Sequence, residues 1–326
     1  MSRPPLPLPA VLPWHVFTSA EARRAGVSQD RLKRKDISRI RRGLFSRTGP
    51  PVSEAAIVAA LSRQDGSAVV VGPSAARLWN MPLPPQLGSW DSRKPVHLSI
   101  PGGRNSHGAV VRWHDFTLAE EDVQRLVFTQ VLSFHETAPP PHCSFRMTTR
   151  SRTWRDLARH LTHGQLVAVG DHLVRAPRPQ FENGRRKPWC SLEQLANACT
   201  GHYAASLRRA LTDVRRGADS PMETMLRLAF IDAGLPEPLI NVPLIGPDGV
   251  ALHTPDFQWP QYRVCAEYEG AAHNKDQQVK RDIRRARRVK AARWSEIRLY
   301  KDDAHAGCAA AVHLVREELR ARGWRP

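Results

Sequence analysis

The stretch from residue 254 to 273, TPDFQWPQYRVCAEYEGAAH, constrains the fold more tightly than any other part of the chain. Asp256 opens a short apolar run, a turn marked by Pro260 follows, and a second apolar run ends in Glu267 and Glu269. Because side chains alternate between the two faces of a strand, both glutamates would share one face. The opposite face would carry Val264, Ala266 and Tyr268. If the two runs pair as a hairpin, Asp256 falls beside Glu267.

Clustered carboxylates repel one another, so this arrangement is costly unless a cation is present. Hard oxygen ligands of this kind suit Mg²⁺ or Mn²⁺. With such an ion the hairpin would have the chemistry of metal-assisted phosphodiester cleavage, in which the cation positions water and stabilises the leaving oxygen. The alternative is a surface strand that carries alternating charges on its solvated side.

A strongly basic helix is predicted shortly after the hairpin, where residues 275–293 hold nine Lys or Arg against two Asp. Its buried stripe would be Val279, Ile283, Ala286 and Val289. The opposite row would contain Lys280, Arg281, Arg284 and Arg288, a spacing suited to phosphate contacts. The alternative is a basic face that is solvated and has no ligand.

A helix with clear boundaries is predicted upstream of the hairpin. Ser220 is a natural N-cap, Pro221 fits the first helical position, and Glu223 completes a capping box. Gly234 would end this helix. Glu223 is therefore a capping residue by default. A functional role requires this helix end to lie over the hairpin that carries Asp256, Glu267 and Glu269, called the carboxylate hairpin below.

The beginning of the chain predicts two short helices joined by a tight turn. Thr18 to Glu21 has the capping-box pattern, and Gly26 would end the first helix in a left-handed conformation. Ser28 would cap a second helix through about Lys35, and this spacing is typical of a helix-turn-helix. Recognition would then fall to the second helix, whose basic residues include Arg31 and Arg34. The segment SRIRRGLFSR that follows favours a winged strand pair.

Length and charge agree with a multidomain nucleic-acid-binding protein. With 326 residues the chain is too long for one ordinary core, which favours two or three domains. The Pro-rich segments ETAPPPHC and RAPRPQFENGRRKP are the predicted linkers. A net charge of +18 makes nucleic acid the natural partner, the alternative being a basic protein that merely stays soluble.

Other classes of protein are disfavoured. The five cysteines have no CxxC spacing and are odd in number, which favours a reducing cytoplasm over secretion and argues against a zinc site. There is no long apolar run and no charged-then-apolar signal pattern at the N-terminus, so a membrane role is not expected.

The C-terminal motifs also carry a family resemblance. In order, the matching segments are SPMETMLRLAFIDAGLPEP, PDF at Pro255–Phe257, EYEG at Glu267–Gly270, His273, the pair Asp282 and Arg285, and the strand around Trp294 to Tyr300. This set covers about a quarter of the chain and resembles the endonuclease-like proteins related to very-short-patch-repair nucleases, within the restriction-endonuclease-like superfamily that has a PD-(D/E)XK motif. The resemblance implies an α/β core in which Asp256 and Glu267 hold Mg²⁺ or Mn²⁺. It also implies that Glu223 assists from the first helix and that His273 orients or deprotonates water.

The chain departs from the superfamily pattern at one position of the motif. The usual Lys, two residues after the acidic strand residue, is replaced by Glu269. The repair-nuclease branch also lacks that Lys and uses a nearby His, so His273 is the expected substitute. The closer relatives usually have Asp at the position of Glu269, and one extra methylene alters the reach of the carboxylate.

The N-terminal segment resembles the winged-helix domain of AbiEi-type antitoxins, through FTSAEARRAGVS and RRGLF. The likeness continues more weakly through SAARLW, the strand Val96 to Ile100, and SRTWRDLA, whose Arg, Thr and Asp are interpreted as helix-start and packing residues. The expected organisation is a winged helix-turn-helix at residues 1–50, an α/β middle domain at 51–180, and a restriction-endonuclease-like domain at 190–326.

Together these features favour a cytoplasmic DNA-binding protein with a metal-dependent endonuclease domain that hydrolyses DNA phosphodiester bonds. The alternative function is a catalytically inactive DNA-binding regulator or antitoxin-like protein. A toxin or a repair protein would be a further partner.

Overall fold

The computed structural model describes residues 6–103, 110–130, 141–178, 182, 184–246, 249–269 and 289–326. The chain is a mixed α/β protein, as the sequence predicts, and it divides into two compact units, Met1–Leu157 and Ala158–Pro326. Within the described ranges, no helix combines the length and the apolar composition needed to cross a membrane.

The first unit opens with strand β1 (Val16–Thr18) and helix α1 (Ser19–Arg24). The predicted capping box is confirmed, because Glu21 N–H donates to Thr18 Oγ1 at 3.2 Å and Thr18 N–H donates to Glu21 Oε2 at 2.8 Å. Gly26 follows with a φ of 74°, the left-handed conformation that ends the helix.

The predicted second helix is instead a single 3-10 turn, Arg31–Lys33. Leu32 is the residue that this turn buries, so there is no apolar stripe to hold a longer helix against the core. Ser28 still acts as a cap, since its Oγ accepts from Arg31 N–H at 3.1 Å. The backbone is already extended at Arg34.

The strand pair predicted around Gly43 is confirmed by β2 (Ile37–Arg41) and β3 (Leu44–Arg47), which run antiparallel. With β1 they form a three-stranded sheet in the order β1-β3-β2. Helix, turn and sheet enclose one small core, made of Leu8, Leu12, Phe17, Ala22, Val27, Leu32, Ile37 and Phe45.

The rest of the first unit surrounds a five-stranded mixed sheet of order β6-β5-β4-β8-β7. Its strands are β4 (Val69–Val70), β5 (Val96–Ser99), β6 (Val111–His114), β7 (Val123–Thr129) and β8 (His142–Thr148). Its helices are α2 (Glu54–Gln64), α3 (Gly72–Leu78), α4 (Pro85–Gly88) and α5 (Arg150–Leu157). Ion pairs brace these helices: Arg77 binds Glu54 at 2.6 Å and Arg152 binds Asp156 at 2.9 Å, which agrees with the packing roles predicted for this region.

Direct contacts within the first unit join the N-terminal segment to helix α2 and to the residue that follows β7. Arg63 pairs with Glu21 at 2.7 Å, and His15 N–H donates to Gln130 Oε1 at 2.6 Å. Most of the ETAPPPHC segment, predicted to be a linker, lies outside the described residues, and its last two residues, His142 and Cys143, are in β8.

The second unit contains helices α6 (His163–Val174), α7 (Leu192–Asn197), α8 (Ala204–Asp213) and α9 (Pro221–Asp232). The fully buried Arg227 on α9 pairs with Asp171 on α6 at 3.1 Å and donates to the Asp213 carbonyl at 2.7 Å. Helix α6 therefore belongs to the second unit.

The second unit also contains a four-stranded sheet of order β14-β13-β12-β9. Its strands are β9 (Leu239–Ile240), β12 (Phe257–Trp259), β13 (Val264–Glu269) and β14 (Ser295–Tyr300), and a separate hairpin consists of β10 (Leu244–Ile245) and β11 (Ala251–His253). Strands β13 and β14 are parallel, and the other pairs in the sheet are antiparallel. Residues of α9 and of the C-terminal helix α10 (Ala309–Ala321) form one core with Phe257, Trp259, Val264 and Ala266.

Candidate functional site

The predicted carboxylate hairpin is confirmed. Strands β12 and β13 pair with Phe257 opposite Ala266, so the next pair in register sets Asp256 opposite Glu267. A 3-10 turn, Pro260–Tyr262, joins the strands. The Tyr268 N–H donates to Asp256 Oδ2 at 2.8 Å, which fixes this carboxylate beside β13.

The two faces of β13 divide as the alternation predicts. Val264 and Ala266 are buried in the core shared with α9 and α10, and Tyr268 packs against the same core. Cys265 lies on the other side, in a cluster with Leu244 and Val289. Since Glu267 and Glu269 follow Cys265 at intervals of two residues, they share its face of the strand.

Glu223 reaches the same region from the N-terminus of α9. Ser220 is the N-cap, as predicted, and its Oγ accepts from Glu223 N–H at 3.2 Å. The Glu223 carboxylate accepts from Asp219 N–H at 2.9 Å and from Asn241 Nδ2 at 2.5 Å. Asn241 N–H also donates to the Asp256 carbonyl at 3.1 Å, so Asn241 links the helix end to the start of β12.

The electrostatics of the site centre on Asp256. Burial raises the pKa of Asp256 to about 7, and the negative charges of Glu223, Glu267 and Asp219 act in the same direction, while the Tyr268 N–H lowers it. Burial also raises the pKa of Glu223. A divalent cation would relieve this repulsion, and the oxygen-only donor set of Glu223, Asp256 and Glu267 suits Mg²⁺ or Mn²⁺.

Two further residues of this region were not predicted from the sequence. His253 Nδ1 lies 3.2 Å from Glu267 Oε1. One donor atom each from His253, Glu267 and Glu296 lie within 4.8 Å of one another. Glu296 pairs in register with Cys265, and its position on the Glu267 face follows from the alternation in SEIRLY once β14 is known to adjoin β13.

Of the remaining predicted site residues near the hairpin, the structure describes Glu269 and leaves four others undescribed. Glu269 is at the end of β13, 3.9 Å from Arg298 Nη1. Four predicted residues lie outside the described residues: His273, Arg281, Arg284 and Arg288. Of the predicted apolar stripe of the basic helix, Val289 is described, and it is buried.

The predicted DNA contacts of the N-terminal segment differ in accessibility. Arg31 donates to both carboxylate oxygens of Asp36, at 2.8 and 2.6 Å, and to the Leu6 carbonyl, so its guanidinium is committed within the fold. Arg34 is exposed. A cleft beside the strand pair has a basic lining formed by Lys33, Arg39 and Arg42.

Comparisons with known proteins give relatives without an assigned activity. No family model matches the chain. The chain is 29% identical over 173 residues to two uncharacterized proteins of Mycobacterium tuberculosis, from the strains CDC 1551 and H37Rv. The matched region covers 51% of this chain and 59% of each relative, so the chain spans somewhat more than half of their length.

Proposed function

We propose that the second unit is a divalent-metal-dependent DNA endonuclease with a restriction-endonuclease-like, PD-(D/E)XK fold. The observation that carries this proposal is the environment of Asp256, which lies opposite Glu267 and near Glu223: burial first, and then these two negative charges, raise the pKa of Asp256 to about 7. Strongly shifted carboxylates that face one another are frequent at catalytic sites. The architecture also supports the proposal: the sheet packs against α9 and α10, and β13, which carries Glu267, pairs with the strand that follows Pro255 and Asp256.

Each residue has a definite role in this proposal. Asp256 and Glu267 hold Mg²⁺ or Mn²⁺, and Glu223 assists from the end of α9. When bound, the ion activates water and stabilises the leaving oxygen of the phosphodiester. His273 orients or deprotonates the attacking water. The Tyr268 N–H holds the Asp256 carboxylate beside β13, and Glu269 extends the acidic row along β13.

DNA binding is proposed to involve both units. The N-terminal segment has a 3-10 turn, Arg31–Lys33, where a helix-turn-helix has its second helix. It would contact DNA through exposed cations that include Lys33, Arg34, Arg39 and Arg42. In the second unit, Arg281, Arg284 and Arg288 would contact phosphates beside the cleavage site. The net charge of +18 supports an anionic polymer as the ligand.

The experiment that tests this function is incubation of the full-length protein with supercoiled plasmid and with mismatched duplex DNA. Parallel reactions contain Mg²⁺, Mn²⁺ or EDTA. We expect nicked or linear product with either metal and none with EDTA, because the proposed reaction would depend on the divalent cation. A protein that binds both DNAs and cuts neither with any divalent metal would contradict the endonuclease.

A second candidate function is a DNA-binding regulator, antitoxin-like, in which the nuclease fold has lost activity. The observation that favours it is Glu269, which replaces the superfamily Lys and lies 3.9 Å from Arg298. A partner toxin would then be the target of regulation. Specific binding of one DNA sequence, combined with the absence of cleavage in every metal, would favour this function.

Salt dependence tests the proposed phosphate contacts. The logarithm of the DNA association constant falls linearly with the logarithm of the salt concentration, by about 0.9 per neutralised phosphate. The triple change Arg281→Ala, Arg284→Ala and Arg288→Ala is therefore expected to make this slope less steep by about 2.7. The loss should be the same for unrelated duplexes, because phosphate contacts do not distinguish sequence. Fluorescence anisotropy across a salt series measures the slope.

The matched control for this experiment removes three cations from the C-terminal end of the chain. It consists of Arg320→Ala, Arg322→Ala and Arg325→Ala. All three residues are exposed, and Arg322 also pairs with Glu318 at 3.2 Å. This control should leave the slope nearly unchanged. Equal slopes for the wild type and the Arg281, Arg284 and Arg288 variant would show that these three arginines do not contact phosphate.

A further inference from the structure

The cluster of His253, Glu267 and Glu296 combines donors from three different strands. His253 ends β11, Glu267 is in β13 and Glu296 is in β14. Their donor atoms lie within 4.8 Å of one another, and the His253–Glu267 pair is closer, at 3.2 Å. Two ligands that each bind zinc at about 2.0 to 2.2 Å in a tetrahedral arrangement are themselves roughly 3.3 to 3.5 Å apart. The cluster therefore needs only small side-chain movements to enclose an ion.

The His253 side chain gives a second, independent observation. It is 9% exposed, and neither ring nitrogen makes a hydrogen bond among the described residues. The Nδ1 atom is close to Glu267 Oε1, yet the geometry of that contact is not that of a hydrogen bond. A buried imidazole without hydrogen bonds is costly in water-excluded surroundings. Metal ligation satisfies the same nitrogen lone pair.

We propose that His253, Glu267 and Glu296 bind a divalent transition-metal ion of the Zn²⁺ class. An imidazole together with carboxylates suits Zn²⁺ and similar ions, whereas Mg²⁺ prefers oxygen ligands alone. The lack of CxxC spacing argues only against a zinc site with cysteine ligands, and this cluster contains no cysteine. Three protein ligands leave a fourth position for water.

This site is distinct from the proposed catalytic one, although Glu267 belongs to both. In the proposed catalytic site, Asp256, just before β12, lies opposite Glu267, and Glu223 at the end of α9 lies near Asp256. His253 and Glu296 instead approach Glu267 from β11 and β14. A carboxylate has two oxygens and can bind two ions. The ion held by His253 would also tie the β10–β11 hairpin to the central strands. The inference does not depend on DNA cleavage, because a zinc site can be detected without DNA.

The test uses full-length protein stripped of metal and titrated with Zn²⁺ in competition with a chromophoric chelator. We expect His253→Ala to weaken binding about 100-fold or more, and Glu296→Gln to weaken it about 10- to 100-fold. The matched controls His313→Ala and Glu317→Gln change exposed residues and should bind as the wild type does. Asp256→Asn should also retain this Zn²⁺ site, because Asp256 is not a ligand of it.

Two additional measurements distinguish loss of the metal site from loss of the folded structure. Circular dichroism in EDTA identifies any variant that fails to fold, and His253→Gln then replaces His253→Ala. Co²⁺ substitution adds visible absorption bands that should be lost with the His253 variant and kept with the His313 variant. Equal Zn²⁺ affinity and equal Co²⁺ spectra for the wild type and a folded His253 variant would overturn the proposal. Zn²⁺ binding without DNA cleavage would leave it intact and contradict only the proposed nuclease.

Discussion

Asp256→Asn is expected to reduce the rate of DNA cleavage by about 1000-fold or more. Asn keeps the size of the side chain and removes a negative oxygen from the proposed Mg²⁺ site. The loss of one preorganised electrostatic contact at a reacting centre typically costs about 100- to 1000-fold, and loss of the ion itself costs more. Single-turnover cleavage of a labelled duplex measures the effect.

DNA affinity in EDTA should stay the same or rise slightly in this variant, because one negative charge is removed while both basic surfaces are kept. The control is Asp302→Asn, which changes an exposed carboxylate of the same unit. Cleavage by Asp256→Asn at the rate of the wild type would contradict the assignment of Asp256 as a metal ligand.

The same variant should be more stable than the wild type at high pH. In the folded protein the pKa of Asp256 is raised from 3.8 to about 7. The folded state therefore binds a proton more tightly than the unfolded state, and stability falls as pH rises from about 4 to about 7. After allowance for partial solvent screening, the gain in Asp256→Asn above pH 7 is on the order of 2 kcal/mol. Urea unfolding without metal at pH 4.5 and pH 8 should show the gain only at the higher pH.

Asp171→Ala is expected to destabilise the second unit by about 3 to 5 kcal/mol. Asp171 is 1% exposed and Arg227 is 0% exposed, so the change removes the nearer carboxylate of a buried guanidinium and leaves it the contact with Glu237 at 3.5 Å. The Asp171 carboxylate also accepts from Thr224 Oγ1 at 2.8 Å and from Arg215 N–H at 2.7 Å. The midpoint of urea unfolding measures this loss.

The double variant Asp171→Leu, Arg227→Met provides the control. Replacing both members of a buried ion pair by apolar residues is often neutral or stabilising, so the double variant should recover much of the lost stability. Because Arg227 is one turn after Glu223 on α9, Asp171→Ala should also weaken metal binding at the helix end. A loss below about 1 kcal/mol would show that the pair does not anchor α9.

The sequence predicts those parts of the site that depend on local rules. Strand alternation gives the two faces of β13, and the turn at Pro260 gives the pairing of Asp256 with Glu267. The Ser220 cap and the left-handed Gly234 give the limits of α9 in the same way.

The rest depends on which elements meet in three dimensions. The contact of His253 with Glu267 requires the β10–β11 hairpin to lie against β13, and no local pattern specifies this. The second N-terminal helix was predicted from a cap and a basic run, but Leu32 alone does not form an apolar stripe. Arg31 was assigned to DNA for its charge, although Asp36, five residues later, binds its guanidinium.

Binding of Mn²⁺, measured by electron paramagnetic resonance of the free ion at pH 8, tests the central claim most directly. The claim is that Glu223, Asp256 and Glu267 together hold a divalent cation. Metal-free wild type and Asp256→Asn, prepared side by side, are titrated without DNA. We predict that the wild type binds one more equivalent of Mn²⁺ than Asp256→Asn and that Glu223→Gln binds with intermediate affinity. Identical titrations for the wild type and Asp256→Asn would contradict the claim.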